Sequence, residues 1–481
     1  MGILTQVQGL LASRGIEGYL TGGYIRDRLI GRESQDLDIV VNAPAMQVAR
    51  FLAESLDSKF VPLDEENEIA RVVFSAEVPD HLDLSMMRGA IADDLALRDF
   101  TIDAMAIKLE DINMPAPTII NPCDGLKDLK AGVVRSVSEE GLRRDPLRLL
   151  RAVRLAAECG FSIDNSTAEQ IARHHEMIAT VAAERIRDEL CRLLGVSPAA
   201  VWLRRLDELG LLLAVLPELA PCKGEPQPKE HFWDVLSHSI ETVATIEFLL
   251  HASDVEYLGK QVREAAPWHP QLEDYFSEAI SSGHSRLTLL KLAGLLHDIA
   301  KPQTKTVEAD GRMRFFGHSQ EGAAVAGGIM ARLRFSNRER DMVATMIEHH
   351  LRPGQMARDE EMPTRRAIYR YFRDTGDVGI DTIFLNLADH LAARGPTLEF
   401  DEWLRHANAM RYVIENRLSQ DNVASLPRLI TGYDLMERFG ISPGPEIGRL
   451  LEAVHEAQAA GEIASREDAL IYAGGLLKEA K

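Results

Sequence analysis

The sequence predicts an α+β protein in which a small sheet-containing head is followed by helical domains. Strand patterns are confined to the first part of the 481-residue chain, at Gly18–Thr21, Leu37–Val41, Arg71–Ser75 and His81–Ser85. Beyond about Ser138, apolar residues recur almost wholly with a helical period. A run at 221–229 that contains proline and glycine interrupts this period and predicts the main domain boundary.

The first strand leads into a turn that is typical of phosphate binding. Two glycines, Gly22 and Gly23, follow the strand and allow the backbone to approach a ligand closely. The next residues predict a helix whose N-terminus would face phosphate groups, and Arg26 would add a side-chain charge. Gly31 fits the end of that helix. The turn alone would indicate only an ordinary connection between a strand and a helix.

The second predicted strand adds a pair of carboxylates to this turn. Asp36 and Asp38 are two residues apart, so their side chains would project from the same face. Such a pair can hold two Mg²⁺ ions about 4 Å apart, one activating a hydroxyl group and one stabilising pyrophosphate. The glycine turn followed at once by this pair therefore predicts nucleotidyl transfer.

Three more motifs follow in a fixed order, at 97–106, 124–129 and 144–154. With the first two they resemble the class II tRNA nucleotidyltransferases and bacterial poly(A) polymerases over roughly the first two hundred residues. The resemblance implies a small mixed sheet with helices, followed by an all-helical neck and body. It assigns the triphosphate to Gly23 and Arg26, Mg²⁺ to Asp36 and Asp38, phosphate and ribose to Arg98 and Asp99, and the base to Asp145 and Arg148, with Arg151 and Arg154 nearby. Two positions depart from the family pattern, since the family usually has Arg where this chain has Leu97 and Glu where it has Arg144.

Base reading by Asp145 and Arg148 also makes chemical sense without the family. The carboxylate can accept a hydrogen bond from the amine of cytosine or adenine, and the guanidinium can donate to ring acceptors. Uracil and guanine present a carbonyl oxygen instead, which leaves the carboxylate facing an acceptor. Arginines at 148, 151 and 154 recur every three residues and indicate a row of cations along the helix for phosphates. The alternative is an ordinary solvated basic face.

The middle of the chain indicates a second centre, which would bind a divalent metal of unknown identity. Its candidate ligands are His238, His297, Asp298, His318, His349, His350 and Asp389. The order of His238, His297-Asp298 and Asp389 resembles the HD phosphohydrolase superfamily, which implies a helical domain and hydrolysis of phosphoesters. A regulatory metal site is the alternative, and His390 and His406 are interpreted as structural.

Composition and charge limit how the protein can contact RNA and where in the cell it can be. The net charge of −20 argues that RNA contact is local. Four widely spaced cysteines and the lack of a membrane-length apolar run predict a cytoplasmic protein that does not enter a membrane. We expect a nucleotidyltransferase head at 1–137, a helical neck and body at 138–220, an HD domain at 230–400 and a helical tail at 401–481. In that tail, the apolar stripe of a helix that begins at Pro445 and ends before Gly461 is expected to belong to a core.

The sequence thus predicts an enzyme that adds C and A residues to the 3′ end of tRNA from CTP and ATP, without a nucleic-acid template. Three alternatives stay open: an enzyme that adds only CC, a poly(A) polymerase, and an idle RNA-binding head beside an active HD domain. The connection from Asp83 to Leu97 is shorter than the flexible segment usual in members that add all of CCA, which the resemblance implies is needed for the switch to A. Ordinary variation in the length of surface loops would also explain this short connection.

Overall fold

A computed structural model describes residues 2–34, 37–74, 81–357, 362–418 and 426–479. The chain divides into two compact units. The first comprises Met1–Leu193 and Arg205–Val215, and the second comprises Leu194–Arg204 and Leu216–Lys481. The α+β class is confirmed, because the large sheet lies in the first unit and the second unit is mainly helical. The four domain ranges inferred from the sequence stay predictions.

The head of the first unit is a seven-stranded mixed sheet with helices. Its strands are β1 (Gly18–Thr21), β2 (Leu37–Val41), β3 (Lys59–Asp64), β4 (Ile69–Val73), β5 (His81–Met86), β6 (Ala106–Lys108) and β7 (Ile119–Ile120). Its helices are α1 (Ile3–Ser13), α2 (Gly23–Leu29), α3 (Ala45–Ser55), α4 (Ile91–Leu95) and α5 (Gly125–Ala131). The strand order is β3-β4-β5-β2-β1-β6-β7, with β2 and β5 parallel and the other pairs antiparallel.

The central strands of this sheet are those that the sequence predicts best. Both β1 and β2 begin and end at the predicted residues, and β5 extends one residue further. β4 begins two residues earlier than predicted, and Ser75 lies outside the described residues. Three strands of this sheet, β3, β6 and β7, were not predicted from the sequence. β3 lies at the sheet edge, where Pro62 needs no donor for a second neighbour.

One face of the sheet packs against α1 and α3. Leu20, Ile39 and Leu84 from three strands join Leu11 and Leu52 from these helices in a continuous buried cluster. Burial of this face fixes the strand register, because a shift by one residue would turn the apolar side chains to the other face. The register in turn places the polar residues of β1, β2 and β5 beside one another.

The rest of the first unit is helical apart from one short parallel pair. Its elements are β8 (Val133–Val134), α6 (Glu139–Arg144), α7 (Leu147–Cys159), β9 (Ser162–Ile163), α8 (Asn165–His174), α9 (Ala183–Gly195), α10 (Ala199–Glu208) and α11 (Leu211–Val215). Parts of α9 and α10 fall in the second unit. Gly160 ends α7 in the left-handed conformation, with φ of 68°.

The second unit contains fourteen further α-helices in its described part and two short hairpins. The helices are α12 (Val235–Leu249), α13 (Lys260–Ala265), α14 (Gln271–Ser277), α15 (Arg286–Leu296), α16 (Lys301–Thr304), α17 (His318–Arg332), α18 (Asn337–His349), α19 (Arg352–Met356), α20 (Arg365–Thr375), α21 (Gly379–Arg394), α22 (Phe400–Leu418), α23 (Gly432–Phe439), α24 (Pro445–Ala460) and α25 (Arg466–Glu479). The hairpins are β10 (Ala279–Ser281) with β11 (His284–Ser285) and β12 (Thr306–Val307) with β13 (Met313–Arg314).

Helices α12, α15, α18 and α21 pack around one another, and α12, α15 and α21 are buried over most of their length. The last helices form a separate cluster, in which Leu450 and Val454 of α24 are buried. The prediction that this stripe belongs to a core, on a helix that starts at Pro445, is confirmed. None of the helices in the described ranges is long and apolar enough to cross a membrane.

Candidate functional site

The glycine turn and the carboxylate strand meet at the end of β1. Asp38 on β2 pairs in register with Thr21 on β1, and Gly22 follows with φ of 73° and ψ of −148°. This backbone conformation is essentially restricted to glycine. A Cβ atom on Gly22 would lie 2.8 Å from Oδ2 of Asp38. The absence of a side chain on Gly22 therefore leaves room for the Asp38 carboxylate. Asp36 lies outside the described residues.

We expect that Gly22→Ala lowers nucleotide addition and destabilises the head. The new methyl group would clash with Asp38, and the strained backbone would cost about 1–3 kcal/mol. Gly31→Ala is a matched control, because Gly31 also has a positive φ, of 74°, but no atom within 4 Å of its added Cβ. Initial rates and thermal unfolding of both variants test this. Equal losses of activity would contradict a specific role for the contact with Asp38.

A second carboxylate, which the sequence analysis missed, lies beside Asp38. Asp83 on β5 pairs in register with Asp38, so both side chains project from the same face. Arg71 on β4 donates from Nε and Nη2 to the two oxygens of Asp83, at 2.6 and 2.8 Å. The signal was present, since Asp83 interrupts an apolar strand pattern as Asp38 does. Carboxylates at this position suit divalent cations.

Arg26 lies in the first helix, but its guanidinium is engaged by carboxylates. Nη1 donates to Asp103 at 2.7 Å, while Nε and Nη2 donate to Asp27 at 2.9 and 3.1 Å. Burial opposes the charge of Arg26, but Asp103 and Asp27 together outweigh this effect and raise the pKa of Arg26. Burial also raises the pKa of Asp103, to about 6. Among the described contacts, the arginine is thus held within the protein by acidic partners.

The motif at 97–99 is connected to both the strand and the later helix. Nη2 of Arg98 donates to the hydroxyl of Thr21 at 3.2 Å, which brings Arg98 to the glycine turn. Nη1 of Arg151 donates to Asp99 at 3.0 Å. Burial would raise the pKa of Asp99, but Arg151 keeps it below its usual range. The structure therefore brings the separate sequence motifs to one place.

The two predicted base readers have different surroundings. Arg148 donates from Nη1 and Nη2 to the carbonyls of Leu97 and Arg98, at 3.2 to 3.3 Å, and its buried Nε has no hydrogen-bond partner. Burial lowers the pKa of Arg148. Asp145 ends α6, and its two oxygens accept hydrogen bonds from Arg185 on α9, at 3.2 and 2.9 Å. Arg185 is not among the residues predicted from the sequence, because it is forty residues away from Asp145 along the chain.

The expected row of cations along α7 needs a correction. Arg154 is only 5 % exposed and forms ion pairs with Glu158 and Glu189. Glu189 also accepts from Nε of Arg151 at 3.0 Å. These acidic partners, which a pattern in one helix cannot reveal, neutralise the arginines. Arg154 therefore anchors α7 against α9 and is not exposed to phosphates.

The second unit brings together most of the predicted metal ligands. Two groups of side chains each have ligand atoms within 4.8 Å of one another, and they share Asp298. The first group is His238, His297, Asp298 and Asp389, and the second is Asp298, His318 and His350. They come from α12, α17, α21 and the ends of α15 and α18. The predicted convergence of helices is the geometry that such metal sites require.

Hydrogen bonds orient three of these histidines for metal binding. In His297, His318 and His350, Nδ1 lies 2.9, 2.7 and 2.6 Å from the carbonyl oxygen three residues earlier. This contact fixes the ring and turns Nε2 towards the group. Nε2 of His318 and of His350 is buried without a hydrogen-bond partner. Burial lowers the pKa of His350 to about 3, which keeps its ring neutral. These features fit a divalent cation.

His349 is a correction to the predicted ligand set. It is half-buried and belongs to neither group, whereas the next residue, His350, is 1 % exposed and belongs to the second group. Successive residues on a helix point about 100° apart, so only one of the pair can face the centre.

Lys301 also lies at this centre, with its Nζ 2.6 Å from Oδ2 of Asp298. It is not among the residues predicted from the sequence.

Comparison with protein-family models divides the chain into four matches. A "Poly A polymerase head domain" matches residues 18–135, and a "Probable RNA and SrmB- binding site of polymerase A" matches 160–223. An "HD domain" matches 235–394, and a model described as "tRNA nucleotidyltransferase domain 2" matches 399–473. Nucleotidyltransferase and HD domains both imply the use of divalent metals, in agreement with the carboxylate and imidazole groups described above.

Solved structures with this fold include a Thermotoga maritima CCA-adding enzyme complexed with tRNA. The match has a TM-score of 0.63 at 18% identity and covers 99% of this chain and 95% of that chain. Curated relatives are closer in sequence. A CC-adding tRNA nucleotidyltransferase of Thermus thermophilus is 30% identical over 95% of this chain and 93% of its own length. An A-adding tRNA nucleotidyltransferase of Deinococcus radiodurans is 32% identical over 94% of this chain and 94% of its own length. With its glycine turn, carboxylate strand and arginine helix brought together, the chain belongs to the tRNA nucleotidyltransferase family.

Proposed function

We propose that this tRNA nucleotidyltransferase adds C residues from CTP to the 3′ end of tRNA, without a nucleic-acid template, and stops after the second C. The addition of C and A residues expected from the sequence fits its relatives, which include CC-adding and A-adding enzymes, and the limit to CC is a narrower form of it. The terminal hydroxyl of the RNA attacks the α-phosphate of the nucleotide, and pyrophosphate leaves. Asp36 and Asp38 are the proposed ligands of two Mg²⁺ ions, which would activate the hydroxyl group and stabilise the leaving group. Gly23, Arg26, Arg98 and Asp99 are the proposed contacts of the phosphates and ribose. Transfer takes place in the cytoplasm, where tRNA and nucleotides are available.

The observation that carries the limit to C is the connection between β5 and α4. Only four residues, 87–90, separate the two elements, and local contacts hold them. The amide of Arg88 donates to Asp94 at 3.2 Å, and the amide of Ala90 donates to Asp93 at 3.0 Å. A connection this short has little freedom to move over a nucleotide. A switch from C to A would need another source of motion.

We expect the purified enzyme to add two C residues to a tRNA transcript that lacks its last three nucleotides, and then to stop. The measurement is a time course with CTP and ATP together, in which products are resolved at single-nucleotide length. A transcript that lacks only its final A should stay unchanged with ATP. Prompt addition of A would support complete CCA addition instead, and repeated addition of A would support a poly(A) polymerase.

We further propose that Asp145 and Arg148 select the base. Asp145→Ala should weaken discrimination against UTP and GTP as well as the overall rate, because the acceptor for the amine of cytosine is lost. A hydrogen bond to a charged group is worth about 1.5–3 kcal/mol, so the ratio of kcat/KM for CTP to that for UTP should fall about tenfold or more. Equal slowing of all four nucleotides would contradict this role.

Arg185→Ala tests whether the hydrogen-bond partner of Asp145 also affects base selection. Loss of the contact with both oxygens of Asp145 should disturb the ratio of CTP to UTP more than it disturbs folding. Arg187→Ala is the matched control, since Arg187 lies two residues away and pairs with the adjacent Asp188. An unchanged ratio in Arg185→Ala would show that Arg185 does not hold Asp145 for base reading.

A second activity is supported by the two ligand groups of the second unit. We propose that His238, His297, Asp298 and Asp389, with His318 and His350, hold divalent metal and support hydrolysis of a phosphoester. The bound metal would lower the pKa of water and polarise the phosphate. The Nε2 atoms of His318 and His350, which are buried and have no hydrogen-bond partner, are the observation that favours metal binding over a purely structural role.

A further inference from the structure

Two adjacent carboxylates of α4 hold the short connection between β5 and α4. Oδ2 of Asp93 accepts a hydrogen bond from the amide of Ala90 at 3.0 Å, and Oδ1 of Asp94 accepts one from the amide of Arg88 at 3.2 Å. Asp93 is exposed, whereas Asp94 is only 9 % exposed. Burial of a carboxylate is costly unless its charge is paired, so the surroundings of Asp94 indicate more than a helix cap.

The second oxygen of Asp94 contacts a proposed nucleotide ligand. Oδ2 accepts a hydrogen bond from Nη2 of Arg98 at 3.4 Å. The same Nη2 donates to the hydroxyl of Thr21 at 3.2 Å, and Thr21 is fully buried at the end of β1. Gly22 follows Thr21 and begins the glycine turn. One guanidinium nitrogen is thus shared between α4 and the strand that leads into the turn.

This sharing orients the whole guanidinium of Arg98. The group is planar and rigid, so two acceptors on one nitrogen also determine where its other nitrogens point. Within the described residues, Nε and Nη1 of Arg98 donate to no acceptor, and the side chain is 26 % exposed. These donors are therefore left for oxygen atoms of a bound molecule, and phosphate and ribose oxygens are suitable acceptors.

An acidic partner has two opposite effects on such an arginine. Asp94 would weaken nucleotide binding if it competed with phosphate for the same nitrogen. It would strengthen binding if it held the guanidinium in place beforehand, because the side chain then loses less freedom when the nucleotide binds. The contacts favour the second effect. Asp94 uses only the nitrogen that Thr21 also uses, and the amide of Arg88 holds the carboxylate itself.

We propose that Asp94 is a positioning residue for nucleotide binding, which holds Arg98 at the glycine turn. The inference rests on the proposed contact of Arg98 with the phosphates and ribose. It also links the connection between β5 and α4 to the nucleotide site, through the amide of Arg88. CTP and ATP have the same ribose and triphosphate, so loss of this contact should weaken both by the same factor.

Asp94→Asn separates the two contacts of Asp94 in the full-length protein. The new side chain has the same shape, and its oxygen can still accept from the amide of Arg88, but its NH₂ group faces Nη2 of Arg98, donor to donor. We expect KM for CTP to rise about fivefold on a tRNA transcript that lacks its last three nucleotides. The values of kcat and of KM for tRNA should change by less than about twofold.

Asp93→Asn is the matched control. Asp93 holds an amide of the same connection, and its described hydrogen bonds do not include Arg98. KM for CTP should therefore stay unchanged in Asp93→Asn, and thermal unfolding of both variants checks that they are folded. An equal rise of KM in the two variants would overturn the inference, because the effect would then come from the connection alone.

Calorimetric binding of CTP with Mg²⁺ and without tRNA completes a double-mutant cycle with Arg98→Ala. If Asp94 acts through Arg98, Asp94→Asn should weaken binding about fivefold in the wild type and should add nothing in Arg98→Ala. Equal weakening in both backgrounds, or tighter binding in Asp94→Asn, would overturn the inference. A change in the ratio of CTP to ATP binding would also contradict it.

The same cycle distinguishes the inference from the function on which it rests. Normal binding of CTP by Arg98→Ala would disprove the proposed contact of Arg98, and the role of Asp94 with it. Weak binding by Arg98→Ala together with normal binding by Asp94→Asn would disprove only the role of Asp94. The limit to CC does not enter these measurements, since ATP can replace CTP in each of them.

Discussion

Replacement of Asp38 by alanine is expected to abolish nucleotide addition while the protein stays folded. Asp38 is the described member of the predicted metal pair and lies beside Gly22 and Asp83. Loss of a metal ligand removes several kcal/mol of stabilisation from the transition state, so the rate should fall by at least about a thousandfold. Removal of one carboxylate from a cluster of like charges should not destabilise the head.

The measurement is incorporation of labelled CTP into tRNA at saturating Mg²⁺, with thermal unfolding measured on the same samples. Glu54→Ala is the control, since Glu54 is an exposed acidic residue on α3 in the same head. Double replacement of Asp36 and Asp38 extends the test to the residue outside the described ranges. Retained incorporation by the folded double variant would disprove the two-metal assignment.

The second large effect is expected at the HD centre. Replacement of both His297 and Asp298 by alanine should reduce bound transition metal at least about tenfold and remove any phosphoesterase activity. Asp298 belongs to both ligand groups, so its loss affects both. CC addition should persist, because Asp38 and the arginines of α7 lie in the other unit.

Two single variants separate metal binding from folding. His318→Ala removes a proposed ligand whose Nε2 has no hydrogen-bond partner and lies 3.5 Å from Oδ1 of Asp298, so little structure should be lost with the metal. His349→Ala removes the neighbouring histidine that belongs to neither ligand group, and its metal content should equal that of the wild type. Elemental analysis after dialysis measures both. A normal metal content in His318→Ala and in the His297/Asp298 double variant would rule out the ligand set.

The sequence predicted the central sheet well because two local signals coincide there. In β2, apolar residues on both sides of Asp38 mark a buried strand, and the glycine turn fixes where α2 begins. The edge strand β3 was missed because its residues are mostly exposed and include Pro62, so its pattern resembles that of a loop. Its place depends on pairing with β4, which a local pattern does not encode.

Local sequence patterns are limited in the same way for the site residues. The three motifs indicated the right neighbourhood, but the partners that determine each arginine come from distant positions. Glu189 pairs with Arg154 from 35 residues away, and Asp103 pairs with Arg26 from 77 residues away. Neighbouring histidines at 349 and 350 have similar local sequences, and only packing of α18 decides which one faces the ligand groups. Long-range packing therefore decides which of the candidate residues reach a site.

The position of α22 means that the HD-domain match does not contain every residue that lines the cavity of about 860 Å³ beside the metal-ligand groups. The match to the HD domain ends at residue 394, and α22 begins at Phe400, yet His406 lines the same cavity as the ligands of the HD domain. A recombination event at this boundary would keep every metal ligand and exchange one wall of the cavity. Asn386 and His406 would then descend from different parents although both line one cavity. Exchange of the helix that follows an HD sequence should therefore change the lining of this cavity, and selection should act on the two segments as one inherited unit.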